Sequence, residues 1–178
     1  MNNKRSGRVA LAGVLSALAL VLLLFTYIPS ASIALAALAA ICGIPVVVEL
    51  GQKAGLLHYA AVAVLACLIA LTAEGTGMYI AFFGWYTVFK SFVEGKKLSS
   101  LMEWTIKLAV VTVAVTAYGA VWIFLLHMVI PTWFAWWMLA PAVVAGWALF
   151  VLYDVGLTRF ITTYHYRLRP KFKEIFRF

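Results

Sequence analysis

The chain has 178 residues, 66% of them hydrophobic and only 11% charged, with a mean hydropathy of +1.03. A water-soluble domain of this size cannot hide so much apolar surface, so the composition excludes an ordinary globular protein and makes lipid the main solvent. The net charge of +8 is not a nucleic-acid signature, because the basic residues sit in short breaks and one C-terminal stretch, the pattern that orients membrane proteins.

Residues 9–28 form the first predicted span, about 20 apolar residues, the length a bilayer core requires. The basic arm before it resembles a secretory signal, but the apolar run continues to Ile28 without a cleavage context, so the helix reads as retained. Small residues recur on it at helical spacing: Ala10, Gly13 and Ala17 in one stripe, Ala12, Ser16 and Ala19 in another. Pro29 and Ser30 break the run. Residues 31–49 form the second span, with Ala36, Ala40 and Gly43 on one face and Pro45 as a kink. Glu49 at its exit is one helical turn from Lys53, a spacing that permits an ion pair. Residues 54–72 form the third span, followed by a short turn from Ala73 to Gly77 that carries Glu74.

The fourth span, Gly77 to Lys97, organises the rest. Seven of the fifteen residues from Met78 to Phe92 are aromatic. At 100° per residue they separate into three faces. Tyr79, Phe83, Tyr86 and Lys90 share one; Gly77, Ala81, Gly84 and Ser91 form a second, open to close approach; Met78, Trp85, Phe89 and Phe92 form a third, suited to lipid. The span is short enough to be tilted or partly re-entrant. After a polar break from Glu94 to Glu103, a fifth span runs from near Trp104 to about Ile130, and Trp133 to Tyr153 form the sixth. The predicted fold class is therefore all-α, a polytopic bundle of six transmembrane helices over residues 1–155. Residues 156–178 form a basic, aromatic tail predicted to lie on anionic membrane lipid.

With both termini in the cytoplasm, all fourteen Lys and Arg residues fall on the inner side. Lys90 and Lys107 then snorkel toward that side, and Glu74 is the one carboxylate outside. An odd number of spans would destroy this partition.

Enzyme signatures are lacking: no GxSxG, no HExxH and no Walker motif occurs, and His58, His127 and His165 are scattered. The sequence therefore predicts a protein that is not an enzyme, with no catalytic residues, no metal and no cofactor. Cys42 and Cys67 lie in apolar runs and read as reduced thiols. Four features carry two readings each. Glu74 is a solvated loop carboxylate or a contact for a cationic or hydrogen-bonding ligand. Lys90 snorkels or serves the face it shares with Tyr79 and Tyr86. Trp133, Trp136 and Trp137 form an aromatic belt or the wall of a pocket open to the outside. The Ala and Gly stripes are internal packing or a docking face. The ligand reading gathers Glu74, Tyr79, Phe83, Trp133, Trp136 and Trp137 around a pocket suited to a flat heterocycle. The docking reading uses Ala10, Gly13, Ala17, Ala36 and Ala40.

The opening helix, RVALAGVLSALALVLLLF (Arg8 to Phe25), with small pairs Gly13–Ala17 and Ala12–Ser16, resembles that of the substrate-binding S components of energy-coupling factor (ECF) transporters. Six spans, a basic N-terminus and both ends inside are similar to that family as well. The resemblance implies a subunit of a bacterial cytoplasmic membrane transporter that binds a vitamin-like small molecule near its outer surface. It implies as partners a transmembrane coupling protein and two ATPase subunits, with the S component toppling in the membrane to release its cargo. The other reading is a non-transport scaffold or assembly protein of a bacterial membrane complex.

Overall fold

A computed structural model describes residues 2–70, 73–96, 98–124 and 136–176. Among these the regular structure is entirely helical. Five helical stretches are long and apolar enough to cross a membrane: Ser6–Tyr27, Pro29–Leu50, Gln52–Ala70, Ser100–Val121 and Leu139–Phe172.

Helix α1 (Asn2–Leu24) buries one stripe, Leu11, Leu15, Ala19 and Leu23, at steps of four. This stripe packs α1 against α2 (Ser32–Ile41) and α4 (Gln52–Ala70). Single turns of 3₁₀ helix at Phe25–Tyr27 and Pro29–Ala31 reverse the chain between α1 and α2. Helix α2 stops at Ile41, and α3 (Gly43–Leu50) begins after one residue. Pro45 is the reason, since it has no N–H to give the carbonyl of residue 41. Gly51 then takes a positive φ of 91°, a conformation other residues adopt only with strain, and connects α3 directly to α4.

The aromatic stretch begins earlier than the sequence suggests. Glu74 opens α5 (Glu74–Met78) rather than sitting in a loop, and α5 runs through one π-helical turn, Tyr79–Phe83, into α6 (Gly84–Glu94). The π turn widens the helix so that Gly84 N–H bonds to the Tyr79 carbonyl. Tyr59 on α4 donates its hydroxyl to the Ile80 carbonyl at 2.8 Å, which supplies a partner where the helical ladder is loosened. The face shared by Tyr79, Phe83, Tyr86 and Lys90 is the buried one: all four side chains are buried. Gly84 lies under the rings of Tyr59 and Tyr79, where an added Cβ would approach within 2.6–2.8 Å.

Helix α7 (Ser100–Phe124) and helix α8 (Leu139–Thr163) complete the bundle, with a 3₁₀ turn at Trp136–Met138 leading into α8. Helix α8 passes through residue 156 without interruption, then through a second π turn, Tyr164–Leu168, into α9 (Arg169–Phe176). The segment read as a tail is thus the continuation of the last helix. At about 1.5 Å per residue the run from Leu139 to Phe176 is some 57 Å long, well beyond the roughly 30 Å hydrocarbon core. Tyr164 is fully buried and stacks edge-on against Phe172 at 5.7 Å, and α9 packs against α1.

Two regions follow from this topology. At one end of the bundle, here the Glu74 end, the α1–α2 turn meets the start of α5 and the last third of α7. At the opposite, Asp154 end, the close of α6, the start of α7 and the second half of α8 converge.

Candidate functional site

The Glu74 end is built around the four residues Glu74-Gly75-Thr76-Gly77. Gly75 presses on α2: its N–H bonds to Ser32 Oγ at 2.8 Å, and a Cβ there would lie 2.5 Å from the Ser32 carbonyl oxygen. Thr76 is fully buried, with its hydroxyl 3.3 Å from that of Thr26. Gly77 sits beneath the ring of Tyr118, where a Cβ would come within 2.7 Å. Tyr118 in turn donates its hydroxyl to the Glu74 carbonyl at 3.0 Å. Two glycines, one buried threonine and one tyrosine therefore fix the Glu74 backbone on three sides. Its side chain is exposed and forms no ion pair among the described residues. A carboxylate in a first helical turn also complements the helix dipole. Beside it lies a cleft of about 170 Å³ lined by Ile33, Glu74, Met78 and Tyr118.

The other residues predicted to surround a ligand are placed differently. Tyr79 is 1% exposed and packs against Tyr59 with ring centroids 6.1 Å apart. Phe83 is buried edge-on against Tyr153 at 5.0 Å. Both belong to the hydrophobic core, and neither lines the cleft at Glu74. Trp137 is largely exposed. Trp133 lies outside the described residues, as does the side chain of Trp136. Tyr118 joins this end from 44 residues away, a proximity no local pattern signals.

The Asp154 end holds a cluster that sequence reasoning missed. Lys90 and Lys107 are each 1% exposed and do not snorkel. Lys90 Nζ is 2.7 Å from Asp154 Oδ1 and 2.7 Å from Glu94 Oε1. Lys107 Nζ reaches Glu103 Oε1 at 2.6 Å, Glu94 Oε1 at 2.9 Å and Asp154 Oδ2 at 3.3 Å. Tyr86 donates its hydroxyl to Asp154 Oδ1 at 2.6 Å. Three carboxylates thus neutralise two ammonium groups where α6, α7 and α8 meet. The reason is energetic: a lone ammonium inside an apolar bundle is costly, and burial becomes tolerable when the charge is both paired and hydrogen-bonded. A second ion pair ties the last helix to the body. Arg169 Nε donates to Glu49 Oε1 at 2.7 Å, so Glu49 pairs with α9 across the bundle and not with Lys53 one turn along. The buried Tyr164 hydroxyl faces Glu49 without a hydrogen bond of good geometry.

The two small-residue stripes separate cleanly. Ala36 and Ala40 are buried, and Gly43 faces His58 and Thr87 at ordinary contact distance, so the α2 stripe is internal packing. On α1, Ala10, Gly13 and Ala17 are exposed, and a Cβ at Gly13 would meet nothing within 4 Å. The adjacent stripe faces inward, where Ser16 Oγ lies 2.8 Å from His58 Nδ1. The described residues include no group of three or more His, Cys, Asp or Glu able to hold a metal ion.

The fold defines the class: a polytopic helical membrane protein with a rigid carboxylate-bearing shelf at one end and a buried charge cluster at the other. No family model, curated protein or solved structure matches the chain.

Proposed function

We propose that this chain is a ligand-binding and docking subunit of a multicomponent membrane complex, in the manner of an ECF transporter S component taking up a vitamin-like small molecule. Its partners in this reading are a transmembrane coupling protein and ATPase subunits, and its location is the bacterial cytoplasmic membrane. The observation that carries the proposal is the open stripe Ala10–Gly13–Ala17 on the outer side of α1. Helices in lipid gain nothing from hydrophobic burial, so they associate through close backbone approach. A stripe without side-chain bulk, left uncovered by the described residues of its own bundle, suits a second membrane protein. Gly13→Leu is the direct test. The variant should fold and melt like the parent, yet fail to copurify with the coupling and ATPase subunits. Undiminished copurification would overturn the docking assignment.

The proposed topology is six spans with both ends in the cytoplasm, the helical run from Glu74 to Glu94 serving as the fourth. Its support is the distribution of Lys and Arg, which puts Glu74 outside and the Asp154 end inside. In a Cys42- and Cys67-free background, a cysteine at position 96 should be labelled only from the cytoplasm. Labelling from outside in intact cells would reverse the assignment.

One observation favours the second reading, a non-transport scaffold. The cleft of about 170 Å³ is smaller than the roughly 300–1,000 Å³ typical of sites that enclose a drug-sized ligand. Copurification with membrane proteins lacking an ATPase would identify that function.

A further inference from the structure

We infer that the cleft at the Glu74 end is a site for a small organic cation, an amine or quaternary ammonium compound no larger than a few heavy atoms. This deepens the ligand-binding reading above and rests on it. The first observation is rigidity without a partner. Gly75 and Gly77 leave no room for a Cβ against Ser32 and Tyr118, Thr76 is buried against Thr26, and Tyr118 holds the Glu74 carbonyl. The geometry pins the backbone of one residue while that residue's carboxylate stands exposed, with no ion pair among the described residues. The second observation is charge. Every Lys and Arg whose side chain is described lies elsewhere: Arg8 on α1, Lys53 on α4, Lys90, Lys96 and Lys107 around the Asp154 end, and Arg159, Arg167, Arg169 and Lys171 on the run from α8 to α9. Among the described residues the carboxylate therefore meets no cation.

The third observation is the lining. Tyr118 presents an aromatic ring, Met78 a polarisable thioether and Ile33 an aliphatic wall beside the carboxylate. A ring face and a carboxylate together attract an alkylammonium group through its diffuse positive charge, while the apolar walls take its methyl groups. Other ligand classes fit less well. A hard metal ion asks for six or more oxygen ligands, and one side-chain carboxylate lines this cleft. An anion would be repelled by Glu74. A flat heterocycle would want several aromatic walls, and Tyr79 and Phe83 are committed to the core.

The experiment is isothermal titration of the purified full-length chain with choline and with 3,3-dimethylbutan-1-ol, its uncharged isostere. Choline should bind, and the isostere should bind at least tenfold more weakly. Glu74→Gln, which alters an exposed side chain, should keep the parent melting temperature and weaken choline binding at least tenfold. Equal binding of both compounds, or undiminished choline binding by Glu74→Gln, overturns the inference. Binding of a neutral heterocyclic micronutrient but not of choline also overturns it, while leaving the ligand-binding reading intact. If choline binds as expected and Gly13→Leu does not disturb copurification, the cation site stands and the docking assignment falls.

Discussion

In the second span, α2 and α3, 56% of the most apolar window is buried, against 11% in α7 and 11% in α8–α9. The body, α1 to α6, is assembled from small residues and rings that interdigitate: Ala36, Ala39 and Ala40 buried on α2, and Gly84 under two tyrosines. The arm, α7 with α8, touches that body along a thin seam. On α8 the seam is Phe150, Asp154 and Leu157, at helical spacing, with Tyr153 beside it. Tyr86 meets the Phe150 ring edge-on at 5.4 Å. From Leu139 to Leu149 every residue of α8 is exposed, and among the described residues the hydrogen bond that joins that half to α7 is Trp147 Nε1 to Thr112 Oγ1 at 3.0 Å. Dense apolar contact fixes the body. The arm depends on directional interactions, because a charge pair in a low-dielectric setting tolerates few geometries.

The contrast is broken most severely at Asp154. Asp154→Leu removes the one buried carboxylate that contacts both ammonium groups and leaves them only the part-exposed Glu94 and Glu103, and removing one partner of a buried pair costs about 3–5 kcal/mol. We expect a large drop in melting temperature, with α7 and α8 losing hydrogen-exchange protection before α1 to α4 do. Lys90→Met combined with Asp154→Leu removes one charge of each sign and should recover most of the loss, since apolar replacements for buried ion pairs are often neutral. A double variant no more stable than Asp154→Leu would show that the seam depends on shape and not on charge balance.

Gly75→Ala probes the body by overpacking. The added methyl would meet the Ser32 carbonyl oxygen at 2.5 Å and the Thr26 methyl at 2.8 Å. The backbone carbonyl cannot move aside as a flexible side chain would, so a loss of about 1–3 kcal/mol is expected in a thermal melt. A melt within error of the parent would mean that the α2–α5 contact is more yielding than its geometry implies.

Gly13→Leu should have the smallest effect on the fold. Nothing lies within 4 Å of a Cβ at that position, so stability should change by less than about 0.5 kcal/mol. Loss of folded protein in this variant would show that the outer face of α1 is internal packing, which would sharpen the division between body and arm differently.

The sequence by itself determined that this is an all-helical membrane protein, because some 20 apolar residues in a row have few other stable fates. It also grouped Tyr79, Phe83, Tyr86 and Lys90 on one face of the aromatic stretch, since 3.6-residue periodicity is local; that this face is buried was decided by the bundle. It showed that Ala and Gly stripes exist on α1 and α2, but not that the α2 stripe is filled and the α1 stripe open. That difference depends on which neighbours arrive. The charge cluster was illegible for the same reason. Lys90, Lys107 and Asp154 are separated by 17 and 47 residues, and each alone reads as a helix-end residue reaching for water. Only the convergence of α6, α7 and α8 makes burial with partners cheaper than snorkelling. Glu49 likewise has a plausible partner one turn away in Lys53, yet it pairs with Arg169, 120 residues distant. Local spacing limits which pairs can form; the packing of the bundle decides which of them are sheltered from water enough to hold.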